Sequence, residues 1–165
     1  MTGFDASYLG KLRQTVGNQI LLSPGVQVLL LRSDGRALVQ RRSDSGIWEF
    51  PAGSCEPGES FRTAAVTELQ EETGITLTPA ELVPFATLSN PELHTLTYPN
   101  GDLVHAFTLC FWATSDTAHA SVNDGEATEH QWVATTDLPS PFHPPAVAVL
   151  RMFEEYRRTG LFQAD

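Results

Sequence analysis

Apolar runs alternate with short polar breaks along this chain, and their spacing predicts strands and helices in mixed order. Residues 26–32 (VQVLLLR) are almost wholly apolar over one strand length, the pattern of a strand buried on both faces. Ser33-Asp34-Gly35-Arg36 is a hairpin turn signal, and residues 37–41 return as a second strand. Residues 48–50 read as a short strand stopped by Pro51. Residues 82–88, 103–114 and 131–135 read as three more. The polar stretches 43–46, 90–101 and 115–125 read as loops, and Glu56-Pro57-Gly58 as a turn. Helices are expected over residues 4–16, 61–73 and 145–158. Gly74 and Gly160 stand just past two of these, where a left-handed stop is wanted, and Pro145 suits a first helical turn. Without an internal repeat or a linker, residues 1–165 read as one α/β domain, a mixed sheet covered by helices on both faces.

The helix over 61–73 breaks local rules. Glu68, Glu71 and Glu72 crowd its last turns, where the helix dipole disfavours acids by roughly 0.3–1 kcal/mol each. Like charges three and four apart add about 0.2–0.5 kcal/mol of repulsion per pair. At about 100° per residue, the three continue the stripe of Phe61, Ala64 and Ala65, so the inward side of the helix is expected to turn acidic. Clustered inward carboxylates need a cation, and hard oxygen donors suit Mg²⁺ or Mn²⁺. An ordinary acidic surface helix is the other reading of the three glutamates taken alone.

The whole segment 53–75, GSCEPGESFRTAAVTELQEETGI, resembles the Nudix box, the signature of the Nudix hydrolase family. Gly53, Glu59, Glu68, Leu69, Glu71, Glu72, Gly74 and Ile75 match its fixed positions. Thr67 departs from it, standing where the family has arginine. The flanking runs LVQRRSDSGIWEFPAG and EHQWVATTDLP extend the likeness to about residues 24–158. The resemblance implies a Nudix-like α/β/α sandwich. It also implies Mg²⁺-dependent hydrolysis of a diphosphate bond in a nucleoside diphosphate linked to another moiety. A nucleoside triphosphate and a nucleotide sugar such as ADP-ribose are both open as substrates. Pro51-Ala52-Gly53 leans toward the ADP-ribose branch, whose further proline marker is matched only loosely by Pro91. The alternative is a Nudix-fold nucleotide-binding module with weak or lost catalysis.

By the same resemblance, Glu68, Glu71, Glu72 and the Gly53 carbonyl hold the metal. Glu71 is the first candidate for general base, then Glu68, with Glu126 or Glu129 as loop candidates. Arg42, beside Arg41, is the candidate phosphate donor; an ion pair with a carboxylate is its other reading. Tyr98, in Tyr98-Pro99-Asn100-Gly101-Asp102, belongs to a substrate-side loop or to a tight turn. Glu59 supports the metal loop. Threonine at 67 cannot make the arginine's charge pair with Glu59. Arg62, Arg41 or Arg42 is expected to pair with Glu59 instead, leaving the site assembled but less rigid.

Composition narrows the partners. The net charge is −10, from 10 basic and 20 acidic residues. Such a chain disfavours duplex nucleic acid, which needs a basic surface, but admits a small nucleotide held through metal. Two cysteines, Cys55 and Cys110, give no disulfide framework or metal-ligand pair, and the five histidines share no zinc spacing. No signal peptide or membrane span is legible, so the cytoplasm is the expected location. A homodimer through residues 4–16 is one use for the leading segment; capping the sheet is the other.

Overall fold

The longest apolar strands form the centre of the sheet. In this computed structural model, which describes residues 7–97, 101–116, 120–121 and 125–165, β1 (Leu21–Leu31) lies parallel to β7 (Leu103–Thr114). Eleven paired positions run from Leu21 opposite Val104 to Leu31 opposite Thr114. Successive side chains of β1 face opposite ways. Leu29 and Leu31 pack with Val149, Leu150 and Phe153 of α4 (Pro144–Thr159), on one face of the sheet. Val28 and Leu30 pack with Ala64, Ala65 and Leu69 of α2 (Phe61–Thr73), on the other. This is the α/β/α sandwich expected.

The remaining strands are β2 (Arg36–Arg42), β3 (Trp48–Glu49), β4 (Ala52–Ser54), β5 (Val83–Leu88), β6 (Thr95–Thr97), β8 (Ala127–Ala134) and β9 (Gln163–Ala164). The order is β3-β2-β1-β7-β5-β9, with β4 on β1, β6 on β7 and β8 on β2. The sheet is mixed: β5 and β9 are parallel, like β1 and β7, and the other pairs are antiparallel. The hairpin strands β1 and β2 meet at Leu31 and Ala37; toward their other ends β1 takes β4 as neighbour and β2 takes β3. That divergence places Gly53 opposite Val26 and Glu49 opposite Gln40.

Three expectations need correcting. β1 begins at Leu21, not at residue 26, since Pro24 and Gly25 are paired within the ladder. Pro24 has no N–H, but its carbonyl accepts from the Cys55 N–H at 3.0 Å. The stretch 90–101 is not all loop: α3 (Pro91–His94) is one turn capped by the Asn90 side chain, and β6 follows. An element of four residues has too little length to show a period. The late strand begins at Ala127 rather than 131, and its alternating exposure carries a polar outer face.

The leading helix α1 (Tyr8–Val16) is capped by Ser7, whose hydroxyl accepts from the Gly10 N–H at 3.1 Å. Residues 4–6 of the expected helix lie outside the described residues. Arg13 anchors α1 to the sheet. Its guanidinium is buried 3.2 Å from Asp102 and donates to the carbonyls of Gly17 and Leu103. No helix among the described residues is long and apolar enough to cross a membrane.

Removing one partner of a buried pair strands the other charge. Arg13→Met is therefore expected to cost about 3–5 kcal/mol in urea unfolding, and Arg13→Met with Asp102→Leu to recover most of it.

Candidate functional site

Helix α2 starts and stops cleanly. Ser60 and Thr63 form a reciprocal capping box, and Gly74 takes the left-handed conformation at φ 72°. Between these ends the three late glutamates separate. Glu72 is buried at 3% exposure, Glu68 is half-buried and Glu71 is exposed. The acidic arc thus crosses from core to solvent rather than facing wholly inward, and Phe61 at its head is 41% exposed.

Glu72 Oε1 accepts from Gln40 Nε2 at 2.7 Å, and Oε2 accepts from the Ala52 N–H at 3.0 Å. Burial holds its pKa well above the usual carboxylate range, and the charges of Glu49 and Glu68 push the same way. Glu68 lies directly over Gly53. A Cβ at residue 53 would fall 2.0 Å from the Glu68 carboxyl carbon and 2.2 and 2.3 Å from its oxygens. Glycine alone leaves room for that carboxylate.

A second acid joins the cluster. Glu49 is 4% exposed and its burial raises its pKa. It accepts from Arg42 Nη1 at 3.1 Å. Arg42 is also bidentate to Asp44, through Nε at 2.9 Å and Nη2 at 2.7 Å, which holds it charged. His143, the N-cap residue of α4, places Nδ1 3.6 Å from Glu49, beyond hydrogen-bond reach. Burial first, then His94 and Arg42, pull the His143 pKa down to about 4. Glu49, Gln40 and His143 were missed by the sequence reading. The available signal was Glu49 itself, an acid between Trp48 and Phe50, both of which bury.

A cleft of about 510 Å³ opens beside these groups on the α4 face. Its floor is Gln27 and Thr108. Arg42 and Glu49 line one side, Ala52 and Gly53 another, and α3, β6 and His143 close it. The volume suits a small-molecule ligand.

The other sequence candidates scatter. Arg41 is exposed and donates to the Gly46 carbonyl at 3.2 Å. Glu126 is exposed at the start of β8; its backbone carbonyl accepts from the Ser43 N–H at 2.7 Å, next to Arg42. Glu129 is exposed and accepts from Gln131. Tyr98 lies outside the described residues. Glu59 does not take Arg62 as partner. Arg62 donates to the carbonyls of Pro79 and Leu82 and sits over Phe111, because α2 turns it toward the opposite loop. Glu59 instead accepts from the Glu56 N–H at 3.0 Å, and Thr67 is exposed.

The donor chemistry fits a hard divalent cation: carboxylates and a nearby peptide backbone, with Glu49 and Glu68 close enough to help raise the pKa of Glu72. As the side chains stand, no three His, Cys, Asp or Glu residues among those described converge to enclose an ion. Glu72 is occupied by Gln40 and Ala52, and Glu71 points outward.

Comparison with known proteins follows the geometry. The NUDIX domain profile matches residues 21–153. An RNA pyrophosphohydrolase of Erythrobacter litoralis is 30% identical over 145 residues, covering 79% of this chain and 87% of that protein. A MutT-like protein of Streptomyces ambofaciens is 44% identical over 62 residues, 38% of this chain and 40% of that one, so there the chain spans under half of its relative. The NUDIX domain of Shewanella oneidensis NrtR, solved with ADP ribose, shares the fold at a TM-score of 0.66 and 20% identity, covering 96% of this chain and 100% of that one.

His143 gives a pH test. Unfolded, it protonates near 6.5; folded, near 4. The unfolded state binds the extra proton between these values, so this group's contribution to stability is lost as pH falls from 6.5 toward about 4. In metal-free buffer, His143→Gln is expected to lose less unfolding free energy than wild type between about pH 7 and about pH 5. An equal loss would remove His143 as the cause.

Proposed function

The chain belongs to the Nudix hydrolase family, and from that membership we propose that it hydrolyses a diphosphate bond of a nucleotide substrate, using Mg²⁺ or, second, Mn²⁺. The observation that carries the reading is the seat of Glu68 on Gly53, with Glu72 fixed beside it by Gln40 and the Ala52 N–H. A solvated acidic helix needs no such seat. Glu68, Glu71, Glu72 and the Gly53 carbonyl are the residues that would hold the metal. Bound there, the metal supplies charge neutralisation at phosphate oxygens and a lowered pKa for water.

The chain's own residues divide the remaining work. Glu71, exposed in the last turns of α2, can meet solvent water and take its proton; Glu68 and then Glu126 are the other candidates for base. Glu72 orients the cluster rather than moving a proton, since both its oxygens are engaged. The cleft receives the nucleotide; Arg42 at its wall is held in ion pairs with Asp44 and Glu49, and would have to yield one of them to take a phosphate. The whole chain acts as one catalytic domain, in the cytoplasm, on a small nucleotide rather than a duplex nucleic acid. A homodimer remains compatible with this reading.

The test is product formation from ADP-ribose, nucleoside triphosphates and a short 5′-triphosphorylated RNA, the last because one relative is an RNA pyrophosphohydrolase. Metal is expected to be required, so chelation should abolish turnover. Glu71→Gln is expected to lower kcat about 10²–10⁴-fold. No product from any substrate, with metal and nucleotide still bound, would favour the binding module.

Gly53→Ala makes a second test. The obstructed atoms are the tip of a flexible side chain, so the protein should fold with a stability change of about 1 kcal/mol or less. Displacement of the Glu68 carboxylate should still weaken metal binding roughly tenfold by titration. Unchanged affinity would sink the role given to the Gly53 seat.

A further inference from the structure

The Nudix reading leaves α1 without a task, yet the helix is tied at both ends. At its inner end Arg13 is buried against Asp102, at the start of β7. At its outer end the Tyr8 N–H, the first amide of the helix, points at the Glu56 carboxylate. The two oxygens lie 2.9 and 3.1 Å away. The first amides of a helix have no partner within the helix, and its N-terminus favours a negative charge, so Glu56 satisfies both needs.

Glu56 is also the hinge of the turn that leads into α2. Its N–H donates to Glu59 Oε2 at 3.0 Å, and its carbonyl accepts from the Glu59 N–H at 3.1 Å. Next to it the Cys55 N–H is held by the Pro24 carbonyl on β1. An apolar cleft of about 510 Å³ separates Tyr8 from Phe61, with Pro24, Cys55 and Pro57 between them. Tyr8 and Glu56 both line it.

From these contacts we infer that α1 braces the loop connecting Gly53 to α2, with Glu56 as a positioning residue for the proposed metal site. The inference rests on the functional reading above. The path is continuous: Asp102 holds Arg13, α1 carries the anchor to Tyr8, Tyr8 holds Glu56, and Glu56 fixes the turn. Gly53 stands on one side of that turn and the Glu68 helix on the other. Glu68 is seated on Gly53 with no spare room, so a change in the loop's path moves one relative to the other. Glu56 does not touch the reacting groups; it acts through the loop.

Mn²⁺ binding followed by electron paramagnetic resonance tests this without depending on turnover. Glu56→Ala removes the acceptor, and Glu56→Gln keeps an oxygen that can accept from the Tyr8 N–H. The alanine variant is expected to bind Mn²⁺ roughly tenfold more weakly, as loss of an outer supporting contact typically does. The glutamine variant should stay within about twofold of wild type. Hydrogen exchange at amides 55–60 should speed up in the alanine variant and not in the glutamine variant. Wild-type Mn²⁺ affinity in Glu56→Ala, beside normal wild-type hydrolysis, would overturn the brace and leave the function standing. A wild type that binds no Mn²⁺ would overturn both. Equal losses in the two variants would overturn the acceptor role of Glu56.

Discussion

The site depends on one missing atom. Without a Cβ on Gly53, the Glu68 carboxylate can lie against the backbone of β4, where any larger residue would meet it at about 2 Å. Fold and site constrain each other through that contact. β4 is a three-residue strand held at the edge of β1, with Gly53 opposite Val26. α2 is held on the same face of the sheet by Ala64, Ala65 and Leu69, all fully buried. The core fixes the distance between helix and strand, and at that distance the Glu68 carboxylate keeps its place only over glycine. A sheet residue chosen for its absent side chain and a helix residue chosen for its charge therefore have to be read together.

The second constraint is electrostatic. Glu49 and Glu68 are close enough to Glu72 that their charges disfavour its ionised form. Burial adds to this at Glu49 and Glu72, because a carboxylate leaves water at a cost unless it is well bonded. The protein supplies partial relief only. Gln40 and the Ala52 N–H serve Glu72, and Arg42 serves Glu49 while sharing its charge with Asp44. No stability argument favours such an arrangement over an apolar core. A cation held by Glu68, Glu71 and Glu72 would complete the relief, which ties the unfavourable local chemistry to the proposed reaction.

Much of this was legible in the sequence, for identifiable reasons. The apolar run of β1 announces a doubly covered sheet because strands buried on both faces lose their alternation, whereas β7 keeps an alternating burial with Leu103 and Phe107 exposed. The box spacing puts Gly53 in a strand and Glu68, Glu71 and Glu72 in a helix joined to it by one turn, a local arrangement that a sequence window can display. What stayed hidden is non-local. That Glu72 would bury while Glu71 remained exposed follows from where α2 meets β4, and helical periodicity alone gives all three glutamates one arc. Glu49 and Gln40 meet because β2 and β3 pair, a contact no window along the chain displays. Arg62 had a carboxylate three residues away, yet the turn of α2 aims it at the carbonyls of Pro79 and Leu82. Sequence proximity was a poor guide there, because a helix surface decides direction before it decides partner.

The divergence of β1 and β2 explains why acids and cleft share one wall. Two strands joined by a tight hairpin would normally pair along their length and leave no gap. Here they separate beyond Leu31 and Ala37, and the short strands β4 and β3 occupy the opening. Ala52 and Gly53 then face two ways. On the α2 side they meet Glu72 and Glu68; on the α4 side they line the cleft. Glu49 and Arg42 line the same cleft from β3 and the end of β2. Glu68, Glu71 and Glu72 do not themselves line the cleft, so a nucleotide seated there would meet a cation held by them only at the Ala52–Gly53 edge. A negatively charged substrate so close to carboxylates needs a cation between the two, because the nearby Arg42 is already shared by Asp44 and Glu49.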